Sequence, residues 1–263
     1  MTSRMAAGDR VARLAPVGPD EVGKLSRAFN ELADRLNERD DMQKFLVSNV
    51  AHELRTPLTN IRGYLEALTD GVLPPSKELF QSLQEETLLL TRVVESLFDL
   101  AEANASARRL SLRRESLAAI VDRAAASCRQ QSDAKHIIVE TSLEAGTEEI
   151  VGDAHCLVQV IRNLLQNAIE HTAAGGQVQV LSFDQPHAIQ VVVADDGPGI
   201  HEADLPFVFD RFFRGRNASP PSAKGAGLGL AIVKELVNAH GGRTGADASD
   251  RGARVWFTLP KRP

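Results

Sequence analysis

The sequence predicts an α+β fold in which a long helical hairpin, paired into a dimeric four-helix bundle, precedes a mixed α/β domain. Three observations carry that prediction. Apolar residues recur at spacings of three and four through the first hundred or so positions, with a break at Gly71–Pro75. After Arg114 the pattern changes to helices interleaved with short alternating strands. The length of 263 residues suits about two domains at roughly 150 residues each.

The first stripe opens at Val22, Leu25, Phe29, Leu32 and Leu36, a heptad spacing. Pro19-Asp20-Glu21 before it suits a helix start, with acids at the positive end of the dipole. Upstream, Met5-Ala6-Ala7-Gly8 reads as the glycine-closed end of an earlier helix. No Gly or Pro interrupts Lys24–Thr56. The stripe turns polar at Arg39 and Gln43 and resumes at Leu46, Val50, Leu54, Leu58, Ile61, Leu65, Leu68 and Val72. Beyond the break, Ser76 is an N-cap candidate with Glu78 in the first turn. A second stripe follows at Leu79, Leu83, Leu90, Val94, Leu97 and Ala101. One hairpin has a single seam and little core, so two should pair as a homodimer through Gln43–Ala103. The alternative is a hairpin packed on its own second domain.

Asn104–Arg114 is polar, basic and aperiodic, and reads as a linker. A helix is expected near Leu117–Gln130, a strand near Ile137–Glu140 and a helix over Ala154–Thr172. Strands follow at Gln177–Phe183 and Ala188–Ala194, then a long loop over Asp195–Gly225. A helix at Leu228–His240 and strands at Arg243–Ala248 and Ala253–Leu259 complete the domain. A loop of that length favours a functional lid over a mere connection.

Composition excludes several classes. Apolar residues at 43% and charged residues at 25% are ordinary for a globular chain. A net charge of −5, with one Trp and one Tyr, argues against nucleic-acid binding. No stretch approaches the ~18 apolar residues of a membrane span, and Met1–Pro16 lacks the apolar core of a secretory signal. Cys128 and Cys156 are the only cysteines, which suits a reducing, cytoplasmic compartment.

Four local patterns carry chemistry. His52 lies two residues from both Val50 and Leu54, so ~200° of helical rotation turns it away from the stripe and into solvent. Glu53 is its neighbour, Thr56 is one turn on, and Pro57 should bend the helix there. Alone, an exposed histidine is an ordinary surface residue. Asn163, Asn167 and His171 stand at i, i+4 and i+8 of one helix. Asn is a poor helix former, and carboxamide oxygens suit Mg²⁺; a polar outer face is the equal alternative. Asp195-Asp196-Gly197-Pro198-Gly199-Ile200 follows a buried strand. A buried carboxylate there can accept from an exocyclic amine, although an Asp-Gly turn is the commoner meaning. Lys224-Gly225-Ala226-Gly227-Leu228-Gly229-Leu230 leads into a helix, where exposed N–H groups favour phosphate. It has neither P-loop nor dinucleotide-fingerprint spacing.

Taken together and in order, these patterns resemble the sensor histidine kinases of two-component systems. Val50–Leu58 is similar to that family's phosphoacceptor box and Asn163–Ala168 to its N-box. Asp195–Ile200 and Gly225–Leu230 resemble its two glycine boxes, and Phe209–Arg214 its F-box. Ser3–Leu36 looks like the end of a HAMP module. The resemblance implies a HAMP segment over residues 1–40, a dimerisation and phosphotransfer hairpin over 41–104, a linker over 105–114 and a Bergerat-type α/β sandwich over 115–263. It implies ATP and Mg²⁺ as cofactors and a response-regulator receiver domain as partner. His52 would be the nucleophile, Glu53 would orient or deprotonate it, and the Glu53/Thr56 pair would remove phosphate from the regulator. Asn167 would ligate Mg²⁺ with Asn163 in support, and Asp195 would bind the adenine amine.

By the same resemblance, Gly197, Gly199, Gly225, Gly227, Leu228 and Gly229 would admit the nucleotide under a lid running from His201 to Lys224. Glu170-His171 stand where many members have Lys-Tyr, so His171 would stack on adenine and Lys224 or Arg214 would supply the missing cation. The linker would let the ATP domain swing to His52. HAMP-like segments normally follow a membrane helix, so membrane contact is expected only through a sensor portion absent from this chain. Two other readings stay open: a non-catalytic ATP-binding switch, and a serine kinase of the anti-sigma type, which would not need the hairpin.

Overall fold

A computed structural model describes residues 21–216, 226–248 and 252–261. Of the expectations above, the helix end at Met5–Gly8 and the residues Lys224 and Gly225 lie outside that set. The chain forms two compact units, Met1–Thr56 and Pro57–Pro263.

In the first unit the dominant element is helix α1, Glu21–Thr69, which continues past the unit boundary with Pro57 inside it. Proline removes one ladder bond, that to the Glu53 carbonyl, and the apolar stripe on both sides keeps the helix going. The Thr56 hydroxyl donates to the His52 carbonyl oxygen at 3.4 Å. Val22, Leu25 and Leu32 of the heptad stripe are exposed, whereas Gly23, Ser26 and Ala33 are buried.

In the second unit α1 closes at Gly71, whose φ of 72° is the left-handed conformation that glycine adopts without strain. Helix α2, Lys77–Ser106, starts as expected: the Ser76 hydroxyl accepts from the Leu79 N–H at 3.2 Å. Asn60 Nδ2 donates to Glu86 Oε1 at 2.8 Å across the hairpin. The expected stripe is shifted by one residue over its second half, where the expected Val94 and Ala101 are both exposed. Val93, Leu100 and Ala103 are buried, while Val94 is exposed with Leu58, Leu65, Leu88 and Phe98. One residue is 100° of helical rotation, and the 93–100 face is the one turned toward the rest of this chain. Here α2 packs on its own α/β domain, through α5 and the ion pair Arg162–Asp99 at 3.0 Å. Its last turns therefore overlap the start of the expected linker.

Strand β1, Arg113–Ser116, takes the linker's end and pairs antiparallel with β3, Glu149–Gly152. Neither strand is evident in the sequence: each has four residues and β1 is entirely polar. Helix α3, Leu117–Ala134, is capped by Ser116. A five-stranded sheet runs β2-β4-β5-β7-β6, with β2 Ile138–Leu143, β4 Gln177–Asp184, β5 Ala188–Asp195, β6 Arg243–Asp247 and β7 Arg254–Pro260. The β2–β4 pair is parallel and the others are antiparallel.

Helix α4, Ala154–His171, packs against α3 and against α5, Gly229–Ala239. The helices contact the sheet, giving the expected α/β sandwich. Leu157, Ile161, Leu164, Ile232, Leu236 and Phe257 fill the layer between, nearly all fully buried, each worth about 1.5–3 kcal/mol of transfer free energy. Alternate residues Val178, Val180 and Ser182 of β4 face that layer, while Val191, Val192 and Val193 of the central strand β5 are all buried.

Candidate functional site

A cleft of about 280 Å³ opens beside α4, lined also by the end of β5, the segment after it and the start of α5. Asp153 sets the helix: its Oδ1 accepts from the N–H groups of His155 and Cys156 at 3.0 and 3.3 Å. From there Asn163, Asn167 and His171 fall along one side and all three line the cleft. They are not equivalent. Asn163 is buried, and its Nδ2 donates to the Gly229 carbonyl oxygen at 3.3 Å. It ties α4 to the glycine-rich turn. Asn167 is half-buried one turn on, and His171 closes the helix.

At the end of β5 the Asp195 carboxylate is held by backbone. Its Oδ1 accepts from the N–H groups of Gly197 at 2.9 Å and Ala253 at 3.2 Å. Burial pushes its pKa above the usual carboxylate range; the two amides oppose that shift and Asp196 adds to it. A Cβ at Gly197 would stand 2.8 Å from the His171 carbonyl oxygen, so this loop and the end of α4 pack backbone to backbone. Gly199 has φ 76°.

The second glycine segment is shaped differently. Gly227 has φ 67°, and a Cβ there would lie 2.8 Å from the Phe213 carbonyl oxygen. Its own carbonyl accepts from the Phe212 N–H at 2.9 Å. Gly229 is exposed, with nothing within 4 Å of a Cβ, and it lines the cleft. Buried Leu228 caps α5 with no side-chain hydrogen bond. The first N–H groups of α5 thus have no side-chain acceptor at the cap, which is how a helix start presents itself to an anion.

Two site residues escaped the sequence reading. Asp204, in a short 3-10 helix Glu202–Phe207, is buried, lines the cleft, and accepts from the Arg216 N–H at 3.0 Å. It ties the start of the segment read as a lid to Arg216 further along it, beside cleft-lining Arg214. Gly252 donates its N–H to the Gly197 carbonyl at 2.8 Å and has φ 73°. A Cβ there would run into the Asp195 carbonyl oxygen. A glycine between two expected strands was the available signal. Gly252→Ala should displace Asp195 and lower nucleotide affinity by about tenfold or more, since a buried charged hydrogen bond is worth about 1.5–3 kcal/mol; titration of a fluorescent ATP analogue checks this.

In the first unit His52 and Thr56 are exposed and Glu53 is half-buried, as the helical phase predicts. Among the described residues no group of three or more His, Cys, Asp or Glu side chains could hold a metal, and no helix is long and apolar enough to cross a membrane. Both cysteines are free and buried; burial pushes the Cys156 thiol up to about 11.

Comparison with known proteins bears on the whole chain. Residues 152–263 match the histidine kinase-, DNA gyrase B- and HSP90-like ATPase family. Residues 42–106 match the His kinase A phospho-acceptor domain, and residues 1–38 the HAMP domain. The chain is 34% identical over 260 residues to the signal transduction histidine-protein kinase BaeS of Escherichia coli (strain K12), covering 98% of this chain and 56% of that one. It is 34% identical over 278 residues to the histidine-protein kinase/phosphatase MprB of Mycobacterium leprae (strain TN), covering 98% and 52%. The chain thus spans about half the length of these curated relatives. Among solved structures, Acinetobacter baumannii histidine kinase AdeS aligns at TM-score 0.62 and 26% identity over 81% of this chain and 98% of that one. Histidine kinase ThkA, in complex with the response regulator TrrA, aligns at TM-score 0.73 and 25% identity over 93% and 69%.

Proposed function

We propose, because the chain belongs to the sensor histidine kinases of two-component systems, that it transfers the γ-phosphoryl group of ATP to His52 and from there to an aspartate of a response-regulator receiver domain. One observation carries the reading: the cleft is lined both by a half-buried carboxylate acceptor, Asp195, and by a helix start without a side-chain cap. Those are complementary to an exocyclic amine and to a phosphate chain.

In this reading Asp195 accepts from the adenine amine and His171 lies along the ring. Gly227 and Gly229 let the phosphates approach the start of α5, with Arg214 and Lys224 as candidate cations. Asn167 suits Mg²⁺, because among the described residues no His, Cys, Asp or Glu cluster could cage the ion and it commonly keeps waters and bridges phosphates. Bound there, it would neutralise phosphate charge. Asn163 is assigned the joint between α4 and Gly229. The neutral imidazole of His52 then forms an N–P bond as the P–O bond to ADP breaks. The proton on its other nitrogen leaves toward Glu53. Attack by the receiver's carboxylate later breaks the N–P bond and returns the proton to the imidazole.

Exposed Leu58, Leu65, Leu88 and Phe98 support the homodimer as a four-helix bundle. The protein is proposed to act on the cytoplasmic side of a membrane, contacting neither nucleic acid nor lipid through its described residues. Incubation with γ-labelled ATP should yield acid-labile, alkali-stable label that passes to a cognate receiver domain. ATP binding without label would instead identify a non-catalytic switch, and acid-stable label a serine kinase. Thr56→Ala should keep the label but slow dephosphorylation of the regulator by about tenfold or more, because the hydroxyl would orient the attacking water.

A further inference from the structure

The last carbonyl groups of a helix have no partner within it, and α4 ends where the candidate nucleotide site begins. The Thr172 N–H takes the Ala168 carbonyl at 2.9 Å. The next carbonyls are met from another element. Lys135, at the C-cap of α3, donates from Nζ to the carbonyl oxygens of Ile169 at 2.8 Å, Glu170 at 2.9 Å and Thr172 at 3.2 Å. An ammonium has three donors, and all three converge on this one turn. Its backbone is held too, since the Lys135 carbonyl accepts from the Gly175 N–H at 2.9 Å.

What that turn positions is the amine end of the cleft. His171 lies between the clasped carbonyls and lines the cleft. Its own carbonyl oxygen is the atom that a side chain at Gly197 would strike first, and Gly197 donates to Asp195. Further along, the Gln177 N–H donates to Asp196 Oδ2 at 3.0 Å. The path from Lys135 to Asp195 thus runs through backbone contacts with little slack. We infer that Lys135 is a positioning residue for the adenine subsite: it fixes His171 and the Asp195 loop relative to each other. This rests on the nucleotide-binding reading above. A cation at a helix C-terminus also complements the dipole, so a neutral, apolar side chain of similar length loses both charge and bonds.

The test is the affinity of the full chain for ADP and for ATP with Mg²⁺, measured by displacing a fluorescent ATP analogue. Lys135→Met should weaken ADP and ATP alike, by about tenfold, the loss of one or two net hydrogen bonds. Lys135→Gln, whose amide keeps two donors, should lose less and decides the matter if the methionine variant does not fold. Ser116→Ala is the control. It removes a helix cap of the same general worth and should lower the melting temperature without changing either affinity. Wild-type affinities in both Lys135 variants, or an equal loss in Ser116→Ala, would overturn the inference. A parent chain that binds neither nucleotide would sink the kinase reading, and this inference with it.

Discussion

The His52→Ala variant should bind ATP as well as the parent chain does and carry none of its acid-labile label. The expected loss is complete, at least about a thousandfold in initial rate, because the acceptor atom itself is gone. Phosphoryl transfer depends on placing a nucleophile in line and neutralising charge. A neutral imidazole nitrogen, with an unperturbed pKa of about 6.5, is a competent nucleophile at neutral pH. No other nucleophilic nitrogen replaces it one helical turn away, where Ser48, Asn49, Arg55 and Thr56 stand: the amide and guanidinium nitrogens have no free lone pair to attack with. Folding does not confuse the result. His52 is exposed on the face opposite the stripe, and alanine is the better helix former, so stability should stay within about 0.5 kcal/mol of the parent. Acid hydrolysis followed by alkali treatment of the labelled protein, with parent and variant side by side, reads the difference. Label surviving in the variant would move the acceptor elsewhere.

Asp195→Asn should cost the most in nucleotide affinity. The substitution keeps size and shape, and its carbonyl oxygen can still accept from the N–H groups of Gly197 and Ala253. What changes is the other terminal atom, from an acceptor to an NH₂ donor. Opposite an exocyclic amine, a donor meets a donor. The loss of a charged hydrogen bond in a half-buried site, plus the unpaired donor left behind, is about 1.5–3 kcal/mol, or roughly ten- to over a hundredfold in affinity. Because burial already makes the carboxylate costly to ionise, the neutral variant should fold at least as well as the parent. Affinity and stability should therefore move apart. An isothermal titration beside a thermal melt checks both, and unchanged affinity would remove Asp195 from the adenine subsite.

Much of this was legible in the chain as written. The hairpin announces itself because helical periodicity is local, and Gly71 and Ser76 mark its turn by their own backbone chemistry. The orientation of His52 follows from two residues on either side. The residues around the cleft were recognisable as glycine, Asp and Asn patterns in a fixed order. What stayed hidden depends on partners far along the chain. Asp204 looks like any acid until Arg216 returns to it, and Gly252 like any turn glycine until Asp195 is placed against it. Asn163 shares a helix face with Asn167, and only the nearness of Gly229 separates their roles. β1 and β3, of four residues each, are too short to signal alone, and β1 is polar besides. Val93 replaces Val94 on the buried face because α2 meets a neighbour from its own chain, which heptad counting within one helix does not contain.

The docking of α2 has a consequence for how occupancy is felt at a distance. Ser96 and Asp99 belong to that helix and also border the cleft, and Asp99 holds Arg162, the residue beside Asn163. Pulling the α/β layer off the helix would strip the pocket of part of its rim. A guest that touches the rim would favour the docked arrangement of α2, and by linkage that arrangement would raise the guest's affinity by the same factor. Cargo and latch are then two readings of one equilibrium.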